Sequence, residues 1–257
     1  MARTNFAPGS SAVIIGASRG IGLALVEALA SREGFERVVA ACRRPDQADR
    51  LQQLAEGNQN VIKVIQLDVT VPDSVDHAAG EIAAMNIKPA LVIHAAGLLH
   101  NDQGVAPEKR IEDINLESLE NVFRVNAFGP ALVMQAFLPI MTRKERAVLA
   151  AISARVGSIG DNRLGGWYAY RASKAALNQL MKTASIESRR RFSNVILACL
   201  HPGTTDTGLS RPFQANVPDD KLFSPDFVAE RLLSVIDGLG EQDSGEFFAW
   251  DGEHIPW

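Results

Sequence analysis

Ala12-Val13-Ile14-Ile15-Gly16-Ala17-Ser18-Arg19-Gly20-Ile21-Gly22 runs from four successive apolar residues straight into three closely spaced glycines, and then into an apolar helical pattern over 20–33. Apolar side chains on successive positions imply a strand covered on both faces, as in a parallel sheet between two helical layers. The same signal returns at 37–42, 61–67, 90–96, 147–153, 194–200 and 245–250. Helical patterns lie between these runs, at 46–56, 72–85, 112–141, 167–191 and 224–238. Pro72 suits a first helical turn, and Pro225 does so with Ser224 as its cap.

Strands alternating with helices predict a single-domain, doubly wound, Rossmann-type α/β fold: a parallel seven-stranded sheet with helices on both faces. The domain is expected over 12–257, after a flexible tail at 1–11. The proline-bearing segment 201–223 has no clear period and is expected to be a lid or binding loop.

The chain has 257 residues, 46% of them hydrophobic, with 26 Lys plus Arg against 30 Asp plus Glu. The resulting net charge of −4 offers no basic field for nucleic acid, so no nucleic-acid partner is expected. The basic clusters Arg143-Lys144 with Arg146, and Arg189-Arg190-Arg191, each read as the closing end of a helix. Cys42 and Cys199 form no CxxC, and the five histidines show no HxxxH or HExxH spacing, so no metal is expected. No apolar run approaches 18 residues, and the N-terminus lacks the apolar core of a signal peptide. A cytoplasmic protein without a membrane partner is expected.

Ligands of open α/β sheets bind at the carboxyl ends of the strands. After the first strand, Gly16, Gly20 and Gly22 let the backbone approach a pyrophosphate, and the helix N-terminus supplies N–H groups and a favourable dipole. Gly16-Ala17-Ser18-Arg19-Gly20 also fits GxSxG, the nucleophile elbow of a serine hydrolase. Ser18 would then work with Asp206 and His254. Against that reading, no earlier strand–helix loop exists to supply the second oxyanion N–H, and Gly22 has no role in an elbow.

The second run ends Ala41-Cys42-Arg43-Arg44, with no acid before Asp46. An acid there would bind a ribose 2′-hydroxyl and repel a 2′-phosphate. Arg19 and Arg43 offer guanidinium groups instead, so NADP(H) is expected over NAD(H). Tyr168 and Tyr170 are the only tyrosines in the chain. Lys174 follows Tyr170 by four residues and so shares its helix face, whereas Tyr168 is followed at that distance by Ala172. An ammonium beside the phenol is expected to lower its pKa from about 10, so that Tyr170 serves as acid or base at a carbonyl or alcohol oxygen.

The Gly-x-x-x-Gly-x-Gly turn and Tyr170-Arg171-Ala172-Ser173-Lys174 together resemble the short-chain dehydrogenase/reductase family over about residues 11–250. The stretches 157–171 and 245–252 look most like the sniffer-like and C-factor-like carbonyl reductases. The resemblance implies an NADPH-dependent reductase of aldehydes or ketones, acting on a small-molecule carbonyl or alcohol substrate. A homodimer or homotetramer is implied as well. Ser18, Arg19 and Ile21 would lie in the cofactor turn with the glycines. Asp68 and Val69 would contact adenine, and Ala95 and Gly97 would end the fourth strand. Pro202, Gly203, Thr205 and Thr207 would lie along the nicotinamide and pyrophosphate.

Lys174 would also bind the nicotinamide ribose, and Asn126 would hold a water linked to it. The family's Ile-Ser-Ser-x-x-Gly is here Ile152-Ser153-Ala154-Arg155-Val156-Gly157, so Ser153 is the candidate catalytic serine and Ser158 a further one. Ile15 replaces a threonine, and His94-Ala95 replaces an asparagine pair. With Ala95 and Ala154 in these places, a cofactor-binding sensor or signalling protein with weak or no catalysis is the alternative. Leu209, Phe213 and Trp167 are expected to line the substrate pocket.

Overall fold

The computed structural model describes residues 4–257, so part of the expected tail, residues 1–3, lies outside the described residues. Seven parallel strands form one sheet. They are β1 (Ser10–Ile15), β2 (Phe35–Cys42), β3 (Ile62–Gln66), β4 (Leu91–His94), β5 (Ala147–Ile152), β6 (Val195–His201) and, after the short β7 (Thr204–Thr205) and β8 (Leu222–Phe223), β9 (Glu246–Ala249). Their order is β3-β2-β1-β4-β5-β6-β9, so the winding reverses between β1 and β4. At this reversal the connections leave the sheet in opposite directions, and their divergence opens a crevice.

The alternation within each run feeds two cores. Ala12, Ile14, Val38 and Ala40 face a layer that includes Leu25 and Leu29 of α1 (Gly20–Ala30) and Leu232 and Ile236 of α7 (Pro225–Gly238). Val13, Ile15, Val39, Val92 and Leu149 face the other layer. There α3 (Pro72–Ala84) contributes Val75 and Ile82, α5 (Gly129–Phe137) contributes Phe137, and α6 (Tyr168–Arg191) contributes Leu177 and Met181. The helix α2 (Asp49–Gly57) follows a 3-10 turn at Pro45–Gln47 and buries Leu51. Ser224 caps α7 as its sequence suggests, accepting from Phe227 N at 3.2 Å.

Three local expectations are corrected. Residues 4–11 are docked rather than loose. Thr4 Oγ1 donates to Asp237 Oδ1 at 3.1 Å, Phe6 packs on Phe35 at 5.3 Å between ring centroids, and β1 already starts at Ser10. The pattern over 112–141 is not one helix. It comprises α4 (Leu116–Phe123), a π-turn at Arg124–Phe128 and α5. Pro130 has no N–H to return to the carbonyl of Asn126, so the regular i to i−4 ladder cannot continue there and the turn widens. The arginines at 143 and 146 close helices distant in sequence. Arg143 donates to the Arg191 carbonyl at the end of α6 (2.6 Å), and Arg146 donates to the carbonyls of Ile236 (2.6 Å) and Leu239 (3.0 Å) at the end of α7.

Candidate functional site

The glycine turn is locked between two strands. Gly16 N and Ala17 N both donate to Ala41 O, at 2.9 and 3.0 Å, which ties the turn to the end of β2. Gly16 has φ +87°, and a Cβ on it would lie 2.6 Å from Ala96 N just beyond β4. A Cβ on Gly22 would lie 2.1 Å from Gly16 O, so the start of α1 can approach the turn only without a side chain. Arg19 precedes α1 in extended conformation and caps nothing, and the first turn of α1 carries no acid. The leading N–H groups of α1 therefore present a cradle suited to an anion. Ser18 and Ile21 are half-buried and Arg19 is exposed on this turn. Arg43 is exposed at the end of β2, and the first acid after it, Asp46, sits in the following 3-10 turn. These residues fit a dinucleotide bearing an extra phosphate: a glycine-rich turn for the pyrophosphate, exposed guanidinium groups on Arg19 and Arg43, and no carboxylate at the strand end.

The other expected contacts border the same crevice. Asp68 Oδ1 accepts from Thr70 N (2.9 Å) and Oγ1 (2.7 Å), while Val69 packs against Gly129. Ala95 N donates to Ile15 O at 2.7 Å. A Cβ built on Gly97 would lie 3.7 Å from Asn126 Oδ1 and 3.8 Å from both Lys174 Nζ and Leu209 Cδ1, so these three groups converge there. Pro202 is buried, Gly203 has φ +71° against Phe223 and Trp250, and Thr207 touches Gly20. The Thr205 hydroxyl is buried without a partner. The segment 201–223 is held at its base by the pairing of β7 with β8.

Tyr170 and Lys174 lie on the buried face of α6. The expected acidification of the phenol does not hold in this chain taken alone. Lys174 Nζ donates to Ile152 O at 2.8 Å and stands 5.8 Å from the centre of the Tyr170 ring. Burial pushes the phenol well above its ordinary value, and it brings Lys174 down to about 8. Asn126, in the π-turn, accepts from Leu98 N at 2.8 Å, donates to Leu98 O at 2.8 Å and donates to Ser173 Oγ at 3.1 Å. Ser173 Oγ in turn donates to Tyr170 O at 2.8 Å, which links the π-turn, the loop after β4 and α6.

Each candidate serine hydroxyl bonds to a partner other than Tyr170. Ser153 lies beneath α6 and donates to Asn178 Oδ1 at 2.6 Å. It follows the alternation of its strand to the α6 side, one residue out of phase with the crevice. Ser158 Oγ accepts from Asp161 N at 3.1 Å. Among the described residues, neither hydroxyl bonds to Tyr170. The hydrolase constellation does not assemble either: no hydrogen bond joins Ser18, Asp206 and His254, Asp206 accepts from Gln214, and the His254 ring packs on Phe248.

Two residues near the site, His100 and Glu108, escaped sequence reasoning, and the burial of a third, His94, was not foreseen. His94 is 1% exposed with both ring nitrogens unpartnered. His100 packs edge-on against Phe213 at 5.7 Å. The Glu108 carboxylate accepts from Ala169 N at the start of α6. His100 and Glu108 belong to no local spacing motif, because each gains its meaning from partners tens of residues away.

A doubly wound sheet with an anion-accepting glycine turn and a buried tyrosine–lysine face at the point where the winding reverses defines a dinucleotide-binding class of protein. The chain belongs to the short chain dehydrogenase family, whose model matches residues 10–218, and is an oxidoreductase of that family. It is 32% identical over 255 residues to an uncharacterized oxidoreductase of Schizosaccharomyces pombe, covering 95% of this chain and 96% of the relative. The NADPH-bound carbonyl reductase from chicken fatty liver superposes with a TM-score of 0.86 at 31% identity, covering 98% of this chain and 100% of that one. The carbonyl reductase Sniffer of D. melanogaster superposes with a TM-score of 0.84 at 25% identity, covering 97% and 100%. Among the described residues no helix is long and apolar enough to cross a membrane.

Proposed function

We propose that this chain is an NADP(H)-dependent reductase of aldehydes or ketones, with Tyr170 as proton donor. The observation that carries the reading is the approach of Lys174 Nζ and Asn126 Oδ1 to Gly97 just past β4, with Tyr170 on the same buried face of α6 as Lys174, at the end of the sheet where Arg19 and Arg43 stand without an opposing acid. A reductase of a relative's kind, NADPH-bound in the chicken structure, supports the same choice. When bound, the nicotinamide supplies hydride to the carbonyl carbon.

The remaining work falls to side chains. Arg19 and Arg43 hold the 2′-phosphate, and the N–H groups of α1 hold the pyrophosphate. Asp68 and Val69 border the adenine, while Ala95, Gly97, Pro202, Gly203, Thr205 and Thr207 border the rest of the cofactor. Tyr170, kept protonated by burial, passes its proton to the carbonyl oxygen. Lys174, near its midpoint at mildly alkaline pH, restores that proton and holds the ribose. Asn126 fixes the π-turn and the loop after β4 around them. A phenol held in its acid form favours reduction at neutral pH and moves alcohol oxidation to alkaline pH.

Ala154 and the turned-away Ser153 favour a second reading, a cofactor-binding sensor or signalling protein with little turnover. NADPH oxidation measured across aldehydes and ketones, beside NADPH binding by fluorescence, separates the two. Tyr170→Phe is expected to lower turnover by about 10³-fold while NADPH affinity stays within twofold. Turnover retained in that variant overturns the role given to Tyr170, and tight NADPH binding with no turnover of any carbonyl selects the sensor. A cytoplasmic location and an assembly of two or four copies belong to the same proposal. The exposed Phe128 and Ile186 provide apolar surface for assembly, and light scattering reads the state.

A further inference from the structure

Just before α6 the chain passes through three consecutive left-handed residues: Gly165 (φ +67°), Gly166 (φ +65°) and Trp167 (φ +54°). A bulky aromatic keeps such a backbone only where its surroundings enforce it. Two residues do so here. The backbone carbonyl of Glu108 accepts from Trp167 N at 2.5 Å, and its carboxylate Oε2 accepts from Ala169 N at 3.1 Å. Glu108 thereby caps α6 from a distant loop, since Trp167, in the cap position, makes no side-chain cap bond. From the other side Arg171 Nε donates to the carbonyls of Gly165 (3.2 Å) and Gly166 (2.9 Å).

Glu108 is 4% exposed, and its second oxygen, Oε1, has no partner. A buried carboxylate with an idle oxygen is an unfavourable way to cap a helix, because Asn or Ser in the cap position would serve at less cost. What the arrangement achieves is the placement of one indole. The Trp167 ring lies 6.1 Å from Tyr170 and 5.0 Å from Phe213 of the lid, both edge-on, and Phe213 continues to His100 at 5.7 Å. Trp167, Phe213 and His100 are all half-buried beside the buried tyrosine, and they come from three separate connections.

We propose that Trp167 is a specificity-determining residue and Glu108 the positioning residue that holds it. Together with Phe213 and His100, the indole forms a slot that takes flat, ring-bearing carbonyls in preference to flexible chain-like ones. Edge and face contacts between rings favour a planar substrate beyond simple area burial. The proposal rests on the reductase reading and names the substrate class of that same site.

The test compares benzaldehyde with heptanal, two aldehydes of equal carbon number, in NADPH oxidation. Trp167→Gly is a clean variant, because glycine takes the left-handed backbone freely and only the indole is lost. The ratio of kcat/KM for benzaldehyde over heptanal is expected to fall about fivefold or more in Trp167→Gly. Glu108→Ala is expected to lose the same ratio, with a lower kcat on both aldehydes as the start of α6 loosens. Glu108→Gln, which still accepts from Ala169 N, is expected to restore the ratio. An unchanged ratio in Trp167→Gly and Glu108→Ala, whatever their thermal stability, overturns the proposal. If the unsubstituted protein reduces neither aldehyde, the reductase reading is decided separately by its own screen of aldehydes and ketones, and calorimetric binding of benzyl alcohol against 1-heptanol reads the slot. A preference for the ring that Trp167→Gly removes upholds it, and no such preference overturns it.

Discussion

Replacing His94 with leucine is expected to remove much of the chain's sensitivity to acid. The imidazole closes β4 in the row Ile15–His94–Ala151, which continues to the buried Cys199 of β6, and the Lys174 ammonium of α6 acts on it. Burial first, and the Lys174 ammonium second, bring it from 6.5 down to about 3. The same burial raises Cys199 to about 12, so this thiol stays neutral between pH 7 and pH 5 and adds nothing to the slope. The folded chain refuses a proton that the unfolded chain accepts below about 6.5. Stability contributed by the neutral ring is therefore fully present above that pH and is lost as pH falls toward 3. Between pH 7 and pH 5 the loss is about 2 kcal/mol, with a limiting slope of about 1.4 kcal/mol per pH unit. The half-buried His201, lowered to about 4, adds to the effect but is open to water and so contributes less. Urea denaturation at several pH values, for both proteins, measures the slopes. Leucine removes the titrating group and both unpartnered nitrogens, so the variant's curve should flatten by about 1 kcal/mol per pH unit or more. Parallel curves over pH 7 to 5 would refute the assignment of acid sensitivity to this ring.

Ser153→Ala removes a hydroxyl that reaches Asn178 rather than Tyr170. Turnover should stay within about threefold while stability drops by about 1 kcal/mol, read by steady-state kinetics and denaturation; a large loss of kcat without a stability change would return Ser153 to the crevice. Gly22→Ala drives a methyl into Gly16 O, so NADPH affinity should fall at least about tenfold and stability by about 1–3 kcal/mol, measured by fluorescence titration and melting. Arg43→Asp should cut the preference for NADPH over NADH by about tenfold or more, and equal use of both cofactors by the unsubstituted protein would reject the phosphate role of Arg43.

The architecture was legible because its signals are local. Each of the seven apolar runs became a strand of the one sheet, and Ser224 and Pro225 opened their helix as their chemistry suggests. The spacing of Tyr170 and Lys174 placed them on one face for the same reason. What failed depends on tertiary partners. Burial of the Tyr170 ring raises its phenol, so a shared helix face with Lys174 did not become acidification. A one-residue phase difference sent Ser153 under α6. The tail residues Thr4 and Phe6 found Asp237 and Phe35, partners no pattern within eleven residues can announce.

The tight seat of Gly16 against Ala96 and of Gly22 against Gly16 leaves the nucleotide half of the crevice no freedom to be remodelled. The side chains of His100, Trp167 and Phe213 are under no such steric veto, provided the left-handed Gly165 and Gly166 are kept. A breeder of new activities from this scaffold would therefore do best to diversify those three positions and leave the first turn untouched, because adaptability and rigidity have been allotted to opposite banks of one cleft.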